Sequence, residues 1–147
     1  MRRRVFPATL AAMALPALAL ASGTAMSPVV SAKLAGKSEV PKGDPDGSGI
    51  AIFHLSTTKR TVCWSFDNLK RIGPPVVSHI HKGRVGAAGP VVVPLGAQYK
   101  PKGCVAAAKP VSEAIETHPN AYYVNIHDAK YPNGAIRGQL AAGMLGR

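Results

Sequence analysis

Two histidines one residue apart, His79 and His81 in the stretch VSHIHKG at 77–83, are the residues of this chain best spaced to do chemistry. In an extended strand successive side chains point to opposite faces, so imidazoles at i and i+2 project from one face and can meet one ion. His127, in YYVNIHD at 122–128, offers a third imidazole if its strand lies alongside. By the same parity Tyr123, Asn125 and His127 share a face, and so do Ala135, Arg137 and Gln139. If these strands are neighbours in one sheet, His79, His81, Asn125, His127, Arg137 and Gln139 form a single polar patch. A three-imidazole set suits Cu(II) or Zn(II), and the neutral ring it needs is the main form of an unperturbed histidine near pH 7. Asn125 and Arg137 would flank the ligands, because a guanidinium beside three imidazoles repels a metal ion unless it lies in an outer position. Two other readings stay open. The patch could be a hydrogen-bonded polar layer that fixes strand register and satisfies buried groups, or a small-ligand or anion site using Arg137. The nearby carboxylates are Asp128 and, from the first strand, Glu39. His54 and His118 fall outside the patch by parity and position and read as surface residues.

The elements that must position these side chains are short runs rich in Val, Ile, Phe and Tyr, separated by Gly, Pro, Asn and Asp. Strands are predicted over 29–40, 49–56, 61–68, 76–81, 89–95, 104–107, 121–127 and 135–141. Turn chemistry lies between them: GDPDGSG at 43–49, RIGPP at 71–75, KGRVGAAGP at 82–90 and YPNG at 131–134, the last a hairpin signal. One segment breaks the pattern. PVSEAIETHP at 110–119 has an early proline, helix formers and a closing proline, which predicts a short connecting helix over 112–117. Val62, Trp64 and Phe66 share a strand face and read as core.

Other chemistries fail on inspection. Only seven acidic residues exist, and Asp44 and Asp46 fall in a turn, so paired carboxylates for glycoside cleavage are not at hand. No segment resembles a nucleophile elbow, and GRVG at 83–86 lacks the context of a phosphate loop. The formal net charge of +11 invites a nucleic-acid reading. However, the lysines and arginines are scattered without an aromatic platform or a basic helix, so no nucleic acid is expected, only a weak attraction to anionic envelope polymers.

The first stretch, MRRRVFPATLAAMALPALALASGTA, has a basic start, an apolar run broken by Pro7 and Pro16, and small residues at its end. This is the pattern of a secretory signal peptide over 1–25, cleaved after Ala21 or Ala25, and it leaves no transmembrane segment. Its removal takes away Arg2, Arg3 and Arg4, and the remainder stays basic. Export makes a disulfide between Cys63 and Cys104 the natural expectation. The pair has no zinc-finger spacing.

Three stretches resemble the chordin-domain (CHRD) family, which occurs in the animal protein chordin and in many exported bacterial proteins. They are LAGKSEVP at 34–41, SHIHKGRVGAAGPVVVPL at 78–95 and YYVNIHDAKYPNGAIRGQL at 122–140. The resemblance implies a single CHRD domain over 26–147, of the exported single-domain bacterial type, and it supplies no catalytic residue. A more distant likeness is to copper/zinc superoxide dismutase, where an HxH pair and a later histidine bind copper beside an arginine. Here His79, His81, His127 and Arg137 resemble that set, without a bridging histidine or a second cluster for zinc. The fold expected from these features is all-β, an antiparallel Greek-key β-sandwich of the superoxide-dismutase or immunoglobulin kind, with one short connecting helix. The function expected first is a secreted or periplasmic binding or structural module without catalysis and without a certain cofactor. The alternative is a copper-binding redox protein, similar to superoxide dismutase, using the three histidines.

Overall fold

The computed structural model describes residues 28–145, so the signal-peptide expectation lies outside the described residues. The elements in chain order are β1 (Val29–Ala35), β2 (Ser48–Ser56), β3 (Thr61–Lys70), β4 (Pro75–Lys82), β5 (Val91–Pro94), β6 (Lys102–Ala106), α1 (Lys109–Thr117), β7 (Tyr122–Asp128), β8 (Ile136–Gln139) and β9 (Ala141–Ala142). Short 3-10 turns follow β1 at Gly36–Ser38 and precede β7 at Pro119–Ala121.

The strands join into one antiparallel sheet in the order β5–β4–β7–β8–β1–β2–β3–β6, with β9 added to β1. The β8–β1 junction is a single ladder pair, Ala35 with Arg137. It divides the sheet into two halves that share one core: Phe53, Leu55, Val62 and Trp64 from one half join Ile80, Val93, Val124 and Ile126 from the other in the same buried cluster. The chain is therefore all-β with one short helix, in a nearly closed sheet. Connections β3–β4, β5–β6 and β6–β7 pass between halves, the crossings of a Greek-key arrangement.

Core burial sets the register on which the polar patch depends. A one-residue slip of β7 would expose Val124 and Ile126 and drive Asn125 into the core. Each buried aliphatic side chain contributes about 1.5–3 kcal/mol, so apolar burial holds β7 with its polar residues on the outer face. The observed pairing sets His79 opposite Asn125 and His81 opposite Tyr123 across β4 and β7. Asn125 in turn pairs with Arg137, and Tyr123 with Gln139, across β7 and β8.

Element boundaries differ most from the expected ones in three places. β1 ends at Ala35 and does not continue to residue 40, because the chain turns at Gly36, where a Cβ would run into the backbone of Asp44. The last expected strand is divided at Leu140: its side chain is buried, and Ala141 and Ala142 pair with β1 as β9. α1 starts at Lys109, ahead of the expected 112, with Pro110 in its first turn, and it buries Ser112 and Ile115. Cys63 and Cys104 stand directly opposite each other in β3 and β6 and form a disulfide. Val62, Trp64 and Phe66 lie in the core, with Trp64 Nε1 donating to the Lys100 carbonyl at 3.0 Å. Among the described residues no helix is long and apolar enough to cross a membrane.

Candidate metal centre

The outer faces of β4, β7 and β8 carry the polar patch, and each member is held by a different neighbour. His79 and His127 are half-buried and His81 is buried. One ligand-capable nitrogen from each of these rings lies within 4.8 Å of the other two. His79 Nδ1 is 3.2 Å from His127 Nε2. His81 Nε2 and His127 Nε2 are each 3.1 Å from the same atom, Oδ1 of Asn125.

Backbone carbonyls assign the ring protons. His81 Nδ1 is 2.8 Å from the Gly89 oxygen, and His127 Nδ1 is 2.9 Å from the Pro132 oxygen. A carbonyl can only accept, so Nδ1 carries the proton in both rings. A neutral ring then presents Nε2 as a lone pair. Burial, reinforced by the neighbouring His127 and His81, lowers His79 to about 4. Burial also lowers His81, against the opposing effects of the Gly89 carbonyl and Asn125. Near pH 7, His79 and His81 are therefore neutral. A proton on His79 Nδ1 can serve His127 Nε2, but no donor serves the close approach of His81 Nε2 to Asn125 Oδ1. This is a cluster of acceptors facing inward, with backbone carbonyls behind two of the rings in the way that metal-ligating imidazoles are oriented.

A buried carboxyl lies close to Asn125 and Arg137. Glu39, 3% exposed, follows the turn after β1, and burial raises it to about 7 against the pull of the Arg137 charge and of the polar groups of Asn125 and Val40. Its Oε1 has no hydrogen-bond partner among the described residues. Gly134, at φ +131, leaves the space this carboxyl fills: a Cβ there would collide with Oε1. The oxygen end of the Asn125 amide faces the imidazoles.

Arg137 lies outside the imidazole set, though near enough that its charge lowers His81. It is 2% exposed, its guanidinium carbon lies 3.3 Å from the centre of the Tyr123 ring, and Nη2 donates to the Arg84 carbonyl at 2.9 Å. His81 stacks on the same tyrosine, with ring centroids 4.7 Å apart and planes 6° from parallel. Gln139 Nε2 reaches the carbonyl oxygens of Gly83, Asn120 and Tyr122 at 2.7–2.8 Å. Arg137, Gln139 and His81 thereby tie down the loop between β4 and β5. Asp128 is a loop anchor: its carboxylate accepts from the Gly73 and Tyr131 backbone N–H groups at 2.9 and 2.7 Å. His54 and His118 are exposed and lie outside the cluster.

Two participants are named by the sequence without their roles, Tyr123 and Glu39. Tyr123 was legible as a member of the outer face, since it shares parity with Asn125 and His127, but its role as a shared platform for His81 and Arg137 needs the register. The burial of Glu39 near Asn125 had no local signal beyond Gly36, whose interruption of a strand pattern marks a turn or a close approach.

A family model for the CHRD domain matches residues 30–140, from β1 to the end of the β8 segment. No curated protein and no solved structure matches the chain. The matched span contains the disulfide, the buried core and every residue of the imidazole cluster, and the chain belongs to the CHRD-domain family.

Proposed function

We propose that this CHRD domain is an exported binding module, acting outside the cytoplasm, whose ligand is a divalent transition-metal ion, Cu(II) or Zn(II), held by His79, His81 and His127. The observation that carries this reading is the convergence of three imidazole nitrogens within 4.8 Å of one another, two of the rings bearing their proton on the side turned away from the cluster. An ion with metal–nitrogen distances of about 2.0–2.1 Å spans roughly 4 Å between opposite ligands, so a small ring movement closes the set. Because burial keeps His79 and His81 neutral, little proton competition opposes loading near pH 7. The disulfide supports the extracytoplasmic part of the reading, since such bridges persist in oxidising compartments.

A copper redox role is the second reading. It is favoured by the half-exposed positions of His79 and His127, which leave an ion within reach of solvent. The enclosure of Arg137 weighs against a dismutase, because its guanidinium is committed to Tyr123 and the Arg84 carbonyl and is not free to guide an anion. The test is Cu(II) titration of the purified protein followed by paramagnetic resonance and a superoxide assay. One equivalent of copper with hyperfine structure from three nitrogens and no dismutase activity is the expected result. Loss of binding on triple replacement of the histidines by alanine would locate it. Absence of tight binding by the wild-type protein would refute the reading.

A further inference from the structure

Asn125 is more closely engaged with the cluster than a flanking residue needs to be. Its Oδ1 stands 3.1 Å from His127 Nε2 and 3.1 Å from His81 Nε2, and His127 Nε2 stands 3.2 Å from His79 Nδ1. Adjacent ligand atoms around an ion with bonds of about 2.0–2.1 Å are roughly 2.9–3.4 Å apart for angles between square and tetrahedral. All three separations have the length of an edge of a coordination polyhedron. As hydrogen bonds, the two contacts to Oδ1 would need protons on both Nε2 atoms, yet each ring already gives a proton to a backbone carbonyl through Nδ1. The amide is held with its oxygen facing the two Nε2 lone pairs.

We propose that Asn125 Oδ1 is the fourth ligand of the site, giving a three-nitrogen, one-oxygen set with His79, His81 and His127. This rests on the metal reading of the histidine cluster and deepens it. With four protein donors a four-coordinate ion keeps no open position, the condition of sites that hold a metal and not of sites that act on a substrate through it. An oxygen donor beside three imidazoles also favours a divalent ion of borderline softness over Cu(I).

The test uses Co(II) as an optical probe for Zn(II) on the full chain. Wild-type protein should take one equivalent of Co(II) with the intense visible bands of four-coordination, and Zn(II) should displace it. Asn125→Ala should bind about 10–100-fold more weakly and lose most of the band intensity as water enters, whereas Asn125→Asp, which keeps an oxygen in place, should retain the bands. Because Asn125 is packed and its alanine variant can fail to fold, a second measurement uses wild-type protein alone: the 13Cγ resonance of Asn125 should shift on Zn(II) loading. Equal spectra for wild type and Asn125→Ala, or an unmoved 13Cγ resonance in a Zn(II)-loaded protein, would overturn the fourth-ligand assignment and leave the histidine site intact. Failure of the wild type to take Co(II) or Zn(II) at all would overturn the metal reading itself.

Discussion

His79 and Asn125 stand directly opposite each other across β4 and β7, and Asn125 is in turn opposite Arg137 of β8. This row places an imidazole, an amide and a guanidinium side by side, with Glu39 close to the last two. The cation is still felt at the cluster, since the charge of Arg137 contributes to holding His81 below its ordinary value. Arg137 packs on the Tyr123 ring and its charge lowers Glu39, which puts the guanidinium in an outer position relative to the three imidazoles.

The two shifted groups give opposite pH dependences. Folding raises Glu39 from 4.5 to about 7, so its contribution to stability is fully present below about 4.5 and is lost as pH rises through about 7. Folding lowers His79 from 6.5 to about 4, so the unfolded chain binds that proton more readily and stability falls as pH drops from 6.5 through about 4. Between roughly 4.5 and 6.5 the two slopes oppose each other. Glu39→Gln removes the first. Urea unfolding of this variant should show stability rising with pH across that window more steeply than in the wild type; an equal or shallower rise would contradict the assignment.

Loss of the guanidinium should be felt at Glu39. In Arg137→Gln the cation that holds the carboxyl down is gone, so Glu39 should titrate above about 7. The loss of the ring stack and of the bond to Arg84 should lower stability by about 1–3 kcal/mol. Carbon NMR of the Glu39 side chain checks the first outcome, and an unchanged titration would place the carboxyl out of reach of Arg137.

The bridge between Cys63 and Cys104 ties the edge strand β6 to β3 and closes a loop with a sequence separation of 41. Replacement of both by serine should cost about 2–4 kcal/mol while leaving the β-sheet circular-dichroism signal in place. Peptide mapping without reductant should recover the two cysteines linked. Two free thiols, or a serine variant of unchanged stability, would contradict this role.

Much of this arrangement was legible from alternation. Parity alone put His79 with His81, Asn125 with His127, and Arg137 with Gln139, because a strand with one face in the core has no freedom to choose otherwise. Which strands are neighbours is a long-range fact: β4 pairs β7 so that His79 meets His127 at a sequence separation of 48, and no local pattern encodes that. Glu39 shows the limit most clearly. The sequence pattern predicts one strand over 29–40, whereas the chain turns at Gly36 and brings the Glu39 carboxyl near Asn125 and Arg137. The carbonyls of Gly89 and Pro132, which set the ring protons, are backbone groups that every residue possesses, so composition could not single them out.

The central claim is that one metal ion sits among His79, His81 and His127. Anomalous diffraction at the zinc or copper edge, from crystals of the metal-loaded protein, tests it most directly. The expected result is a single strong peak about 2.0–2.1 Å from a nitrogen of each ring. A peak located elsewhere on the chain, or no peak from protein equilibrated with excess metal, would contradict the account.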